Sequence, residues 1–235
     1  MLMILHIIND PALLSRVQKD VKKIIANDQV KPSHIPALTK SPRLRSIYAE
    51  TLRLYAQPLL VFSSPKEDVV VGRWKLPRGK IGCVDTALLH MDEDVWNTKN
   101  GRHPVNTFWA ERFSVDSKDS HSGPLKAGLN ARSSFEGVEG GCFGKGALEG
   151  AFLPFGCELV CFCVWILFAL EVLANDSVIP VGSIASPSRF FATNAVLFTV
   201  ALAVTELDIT LFDEPFESSS VVAPWLLGAR IQRRR

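Results

Sequence analysis

The segment from Ser41 to Pro58 constrains the fold more than any other. Ser41-Pro42 is a helix start, because proline suits the first helical position, and Pro58 is a stop signal. Between them Leu44, Ile47, Tyr48, Thr51, Leu52 and Tyr55 recur at helical spacing, which predicts a helix over 42–55. Glu50 and Arg53 lie on that helix three residues apart, so they share a face and can pair within one turn. On so apolar a helix the pair is either an ordinary surface ion pair or partly buried. A buried pair needs further partners, because removing charge from water is costly.

The flanking chain supplies several more elements. Asp10-Pro11 repeats the start signal, and Leu14, Val17, Val21, Ile24 and Ile25 predict an amphipathic helix over 11–26 with Lys19, Lys22 and Lys23 outward. Short apolar runs at 59–62, 69–71 and 81–84, separated by Ser63-Ser64-Pro65 and Pro77-Arg78-Gly79, predict small strands joined by turns. From 92 to 150 periodicity is lost while isolated aromatics persist, as in a segment packed by its own rings or kept for function. A helix is expected over 190–204 and a strand over 208–212, with a ragged tail over 213–235. The class is mainly α with small β-sheets (α+β), in a single domain expected to be incomplete.

Composition excludes several functions. Lys and Arg number 26 against 24 Asp and Glu, a formal charge of +2 that argues against a nucleic-acid partner. The basic cluster of Arg230 and Arg233 to Arg235 reads as a solvated tail. Five cysteines, an odd number, with Cys157, Cys161 and Cys163 in an apolar run, do not read as a secreted disulfide framework. The same three lack the paired hooks of structural zinc. The wholly apolar stretch 159–170 is shorter than the roughly 20 residues a membrane span needs, and the first eight residues are too few for a signal peptide or anchor. Gly140 to Gly146 lacks the outer glycine and the hydroxyl of a phosphate loop, and no Gly-x-Ser-x-Gly elbow provides a hydrolase nucleophile.

A second cluster, Trp109-Ala110-Glu111-Arg112-Phe113, places a guanidinium among aromatics, where its rigid fork of donors could join a Glu–Arg pair. With Glu50-Thr51-Leu52-Arg53 before it and His90-Met91-Asp92-Glu93-Asp94-Val95-Trp96 between, the chain resembles the C-terminal portion of a fungal-type cytochrome P450, a haem-thiolate monooxygenase. The first motif resembles that family's ExxR and the second its PERF region, with Ala110 where proline is usual. The resemblance implies a structural ion triad of Glu50, Arg53 and Arg112 that maintains the fold.

Downstream, Phe152 to Gly156 resembles the start of the family's haem-binding loop, and Gly182 to Ala192 its continuation. By that resemblance Phe155, Gly156, Gly182, Ser186 and Arg189 are the cofactor-binding positions, with Ser186 where the thiolate cysteine belongs. A serine hydroxyl is hard and weakly acidic and does not replace a soft thiolate, so a chain with this residue is expected to be inactive or an incomplete version of an active enzyme. Residues 157–181 separate the halves of the loop and read as an aberrant insertion with the composition of translated intron sequence. Residues 1–9 resemble the last turns of the family's long oxygen-activating helix, whose remainder is expected before Met1. The resemblance further implies haem, a small apolar substrate of terpenoid or polyketide type, a flavoprotein reductase and, for the full-length family, the endoplasmic reticulum membrane. The alternative is a non-catalytic remnant or interaction protein without haem.

Overall fold

The computed structural model describes residues 1–26, 29–116, 119, 121–126, 152, 154, 187–215 and 227–233. Asp10 sets the first junction. Its carboxylate accepts from the amides of Ala12 at 2.9 Å and Leu13 at 3.0 Å, so helix α1 (Leu2–Asn9) stops and α2 (Pro11–Ile25) begins with proline in its first turn. Helix α2 ends where Ala26 adopts a left-handed conformation, φ 51°. It buries Leu13, Val17, Val21 and Ile25, one residue per turn; Val17, Val21 and Ile25 match the expected stripe, while Leu13 takes the place of Leu14, which with Ile24 is half-buried at the edge. A 3-10 turn (Pro32–His34) and the short α3 (Ile35–Leu38) lead to α4 (Pro42–Tyr55).

Helix α4 is buried on two sides. Leu44, Ile47 and Tyr48 enter a core shared with Met3 and Ile7 of α1, the buried stripe of α2, Leu38, and Leu197, Val200, Ala201 and Val204 of α6 (Pro187–Glu206). Gln18 of α2 donates to the Val204 carbonyl at 2.9 Å, and Thr193 of α6 donates to the Tyr48 hydroxyl at 3.3 Å, fastening α6 to both helices. The opposite side of α4 presents Ser46, Ala49, Glu50 and Arg53, all buried. Ala49 there joins a second cluster with Trp96, Val105, Phe113 and Leu125.

Among the described residues the strands form three two-stranded antiparallel sheets. Strand β1 (Leu59–Ser63) pairs with β4 (Ile81–Asp85), with Phe62 opposite Gly82. A Cβ at Gly82 would lie 2.5 Å from the Phe62 ring, so that position admits only glycine unless the ring moves. Between them β2 (Val69–Val71) and β3 (Trp74–Leu76) make a hairpin whose turn, Gly72-Arg73, has Gly72 at φ 58°, as a type II′ turn requires. Strand β3 and helix α5 (Thr86–His90) are additions to the sequence reading, being too short for a periodic signal. Asp85 caps α5 through the Ala87 amide at 2.9 Å.

Helix α6 is three residues longer at its start and two at its end than the 190–204 expectation, and β5 (Leu207–Pro215) extends the expected 208–212 strand. Within the stretch read as a ragged tail, β6 (Leu227–Arg233) pairs with β5, Ile209 opposite Ile231. Arg230 and Arg233 thus stand on a strand, whose pairing is long-range and leaves no local mark on the sequence. In the described part of the unperiodic stretch Trp96 lies 5.7 Å from Phe113, and Phe152, just beyond the stretch, sits 5.3 Å from Phe113 and 6.0 Å from Trp96. No helix among the described residues is long and apolar enough to cross a membrane. Residues 159–170 and the insertion 157–181 lie outside the described residues.

Candidate functional site

The buried polar side of α4 carries the most concentrated chemistry among the described residues. Arg53 Nε donates to Glu50 Oε2 at 2.8 Å and its Nη2 to Oε1 at 3.0 Å, the bidentate geometry for which a guanidinium is shaped. Arg112 Nε donates to the same Oε1 at 3.0 Å, and the Trp109 amide adds a fourth donor at 3.2 Å. All three side chains are fully buried. One carboxylate therefore faces two cations, and each guanidinium needs other acceptors.

Backbone carbonyls provide them. Arg53 donates at 2.6 Å to the carbonyls of both His90 and Val105. Arg112 donates to the carbonyl of Asn97, to Pro104 at 3.0 Å, and more weakly to His103 and Thr107. Aromatic faces complete the enclosure: the Arg53 guanidinium lies 5.4 Å from the Trp96 ring centre and that of Arg112 5.2 Å from Trp109. Burial holds the Arg112 pKa below the usual arginine value, against the opposing pull of Glu50. The network thereby converts an irregular run from 90 to 112 into a fixed path, using charge-assisted bonds where periodic structure is absent.

Two neighbours, Ser46 and Asn97, escaped the sequence reading. Ser46 donates to the Ala110 carbonyl at 2.6 Å and accepts from the Phe113 amide at 3.2 Å, clamping the Trp109–Phe113 segment from both ends. The signal was present, because Ser46 lies one turn before Glu50 on the same face. Asn97 donates to the carbonyls of His121 and Gly123, both at 2.8 Å, and Trp96 Nε1 donates to the Leu89 carbonyl at 2.8 Å. Nothing in the sequence marks Asn97, since its partners are backbone groups, whereas Trp96 closes the His90–Trp96 motif on which the resemblance rests.

Three histidines surround the network. His6 is stacked on Phe108 at 4.0 Å with Nε2 2.8 Å from the Tyr55 hydroxyl, His103 is stacked on Trp109 at 4.4 Å, and His90 is fully buried. Burial lowers the pKa of each from 6.5, and for His103 the Arg112 and Lys99 charges lower it further. The unfolded chain then binds protons that the folded chain refuses, so stability is complete above about pH 6.5 and is lost as pH falls toward the folded values. The urea midpoint is expected to drop between pH ~7.5 and ~5.5, before ordinary carboxylates titrate. A midpoint that is flat or rising over that interval contradicts this.

The structure brings Glu50, Arg53 and Arg112 together as one cluster. Phe155, Gly156, Gly182 and Ser186 lie outside the described residues, and Arg189 falls in the first turn of α6 with its side chain undescribed. Among the described residues the donor set does not fit a haem thiolate, since the one cysteine there, Cys83, is exposed on β4, and in the sequence position 186 bears a serine. Among the described residues no group of three His, Cys, Asp or Glu is placed to hold a metal.

Known proteins bear on this arrangement. The Cytochrome P450 family model matches residues 1–136. The chain is 27% identical over 220 residues to "Cytochrome P450 monooxygenase efuG" of Hormonema carpetanum, covering 90% of this chain and 34% of that protein. It is 30% identical over 160 residues to "Isoflavone 2'-hydroxylase" of Medicago truncatula, covering 67% and 28%. To "Cytochrome P450 monooxygenase fsoE" of Humicola fuscoatra it is 37% identical over 93 residues, covering 38% and 16%. The chain thus spans about a third of the first of these relatives. The fold is similar to the crystal structure of the cytochrome P450DA heme domain, with TM-score 0.55 and 16% identity, over 99% of this chain and 40% of the other. A mixed helical fold with small antiparallel sheets, and a family model matching from α1 past the Glu50–Arg53–Arg112 cluster, have one reading: the chain belongs to the cytochrome P450 family.

Proposed function

We propose that the chain is the C-terminal portion of a haem monooxygenase that oxidises a small apolar substrate in fungal secondary metabolism, of terpenoid or polyketide type, with electrons from a flavoprotein reductase. The observation that carries it is the buried Glu50 carboxylate with two guanidinium partners, which supports the reading of Glu50, Arg53 and Arg112 as a fold-maintaining triad. Two fungal relatives named as monooxygenases, and a plant relative named as an isoflavone 2'-hydroxylase, support the reaction class. The same reading assigns the full-length protein to the endoplasmic reticulum membrane.

With Ser186 at the ligand position and 157–181 as an aberrant insertion, the sequence given does not carry out the oxidation on this reading. The test compares purified protein of this sequence with a form lacking 157–181 and carrying Ser186→Cys. Reduced and exposed to carbon monoxide, only the second is expected to give the difference band of a haem thiolate. That band from the unaltered sequence, together with substrate turnover, overturns the assignment of inactivity. If neither form takes up haem, the non-catalytic remnant is the better description.

A further inference from the structure

We infer that Met91 is an oxidation site whose sulfoxide tightens the Glu50–Arg53–Arg112 cluster. A guanidinium carries five N–H donors, and the structure gives those of Arg53 five acceptors. Nε meets Glu50 Oε2 at 2.8 Å, and Nη2 divides its two hydrogens between Glu50 Oε1 at 3.0 Å and the Val105 carbonyl at 2.6 Å. Nη1 gives one hydrogen to the His90 carbonyl at 2.6 Å and the other to the Met91 thioether, with Sδ at 3.8 Å. Four donors thus have oxygen acceptors. The fifth has only a thioether, a weak acceptor, although it belongs to a cation that is fully buried.

One oxygen atom on that sulfur changes the acceptor, and hydrogen peroxide supplies it. A sulfur lone pair attacks one peroxide oxygen, and an S–O bond forms as the O–O bond breaks. The departing hydroxide takes the proton of the transferred oxygen and leaves as water, so sulfur is oxidised by the two electrons that reduce the peroxide. The product oxygen is a strong acceptor, and rotation about the Cγ–Sδ bond turns it toward Nη1, one S–O bond closer than sulfur stands. Hydrogen bonds from an ionised donor are the strong class, so the exchange favours the folded state. Met91 is half-buried at the end of α5, whereas Met3 is 2% exposed within the apolar core. A sulfoxide at Met3 would meet hydrocarbon and disrupt packing, the ordinary result of methionine oxidation. At Met91 the sign is reversed, because a buried cation already points an underused donor at the sulfur. Oxidation there draws the end of α5 onto α4 and reinforces the path from 90 to 112, whether or not the chain carries haem.

The test uses the purified chain carrying Met3→Leu, which leaves Met91 and the N-terminal Met1, 89% exposed, as the oxidisable methionines. The protein is treated with hydrogen peroxide and then with dithiothreitol, which reverses disulfides and sulfenic acids but leaves methionine sulfoxide in place. Peptide mass spectrometry is expected to find one added oxygen on Met91, and the urea midpoint is expected to rise by roughly 0.5 M. Met91→Gln, whose amide oxygen stands where the sulfoxide oxygen would, is expected to show the rise without peroxide. Met91→Leu, which offers no acceptor, is expected to lie below the parent and not to rise on treatment. Met91 left unmodified when Met1 is fully oxidised overturns the proposal. So does a midpoint that falls or stays the same once Met91 is oxidised, an equal rise in treated Met91→Leu protein, or a Met91→Gln protein no more stable than Met91→Leu.

Discussion

Glu50→Gln is expected to cost about 3–5 kcal/mol of stability, enough to unfold much of the protein at ordinary temperature. The carboxylate accepts four hydrogen bonds and is the counter-charge shared by two guanidinium groups that have no access to water. Glutamine keeps the shape but withdraws the charge, and its amide nitrogen brings a donor against arginine donors. Both cations then stay buried without a counter-charge, the costly half of breaking a buried pair. The contrast is Glu111→Gln, which removes an exposed ion pair to Arg16 at 2.8 Å and is expected to shift stability by less than ~1 kcal/mol. Urea unfolding followed by tryptophan fluorescence measures both, with soluble yield standing in if the Glu50 variant does not fold. A Glu50→Gln protein as stable as Glu111→Gln shows that the carboxylate is not what holds the cluster.

Arg112→Lys is expected to cost nearly as much, about 3 kcal/mol, although it keeps a positive charge. The guanidinium reaches Glu50 with Nε, the Asn97 carbonyl with Nη1 and the Pro104 carbonyl with Nη2, acceptors spread around one rigid plane. An ammonium on a flexible stem satisfies at most part of that set and leaves buried carbonyls unpaired. Burial that already lowers the pKa of Arg112 also acts on a lysine, which starts from a lower intrinsic value and releases its proton more readily. Folded, the lysine then binds its proton less readily than in the unfolded chain, so the variant should regain stability as pH rises from the lowered value toward the unfolded value of about 10.4, where the arginine protein does not change. An Arg112→Lys protein within ~1 kcal/mol of the original, with the same pH profile, shows that charge alone suffices at this position.

The same geometry explains why an apolar replacement of the whole triad should not rescue stability. Removing both arginines leaves the carbonyls of His90, Val105, Asn97 and Pro104 buried without those donors. An isolated buried ion pair can be exchanged for hydrocarbon, but this one also serves as the hydrogen-bond complement of an irregular backbone.

Much of this was legible in the residues. Helices α2 and α4 follow from Asp10-Pro11 and Ser41-Pro42 with apolar residues each turn, and the observed bounds differ from expectation by no more than one residue. The closeness of Glu50 and Arg53 is equally local, a property of any helix three residues on. Cap, propensity and period act over a few residues, so the chain itself decides them.

The arrival of Arg112 at Glu50 Oε1, 62 positions away, belongs to tertiary structure. So do the clamp of Ser46 on the Ala110 carbonyl and the pairing of β6 with β5. Each depends on where a backbone carbonyl or a strand edge comes to rest, and those groups are the same in every residue type. Side-chain pattern marks which surfaces must be buried, while the choice of partner is made only when packing brings a particular backbone group within hydrogen-bond reach.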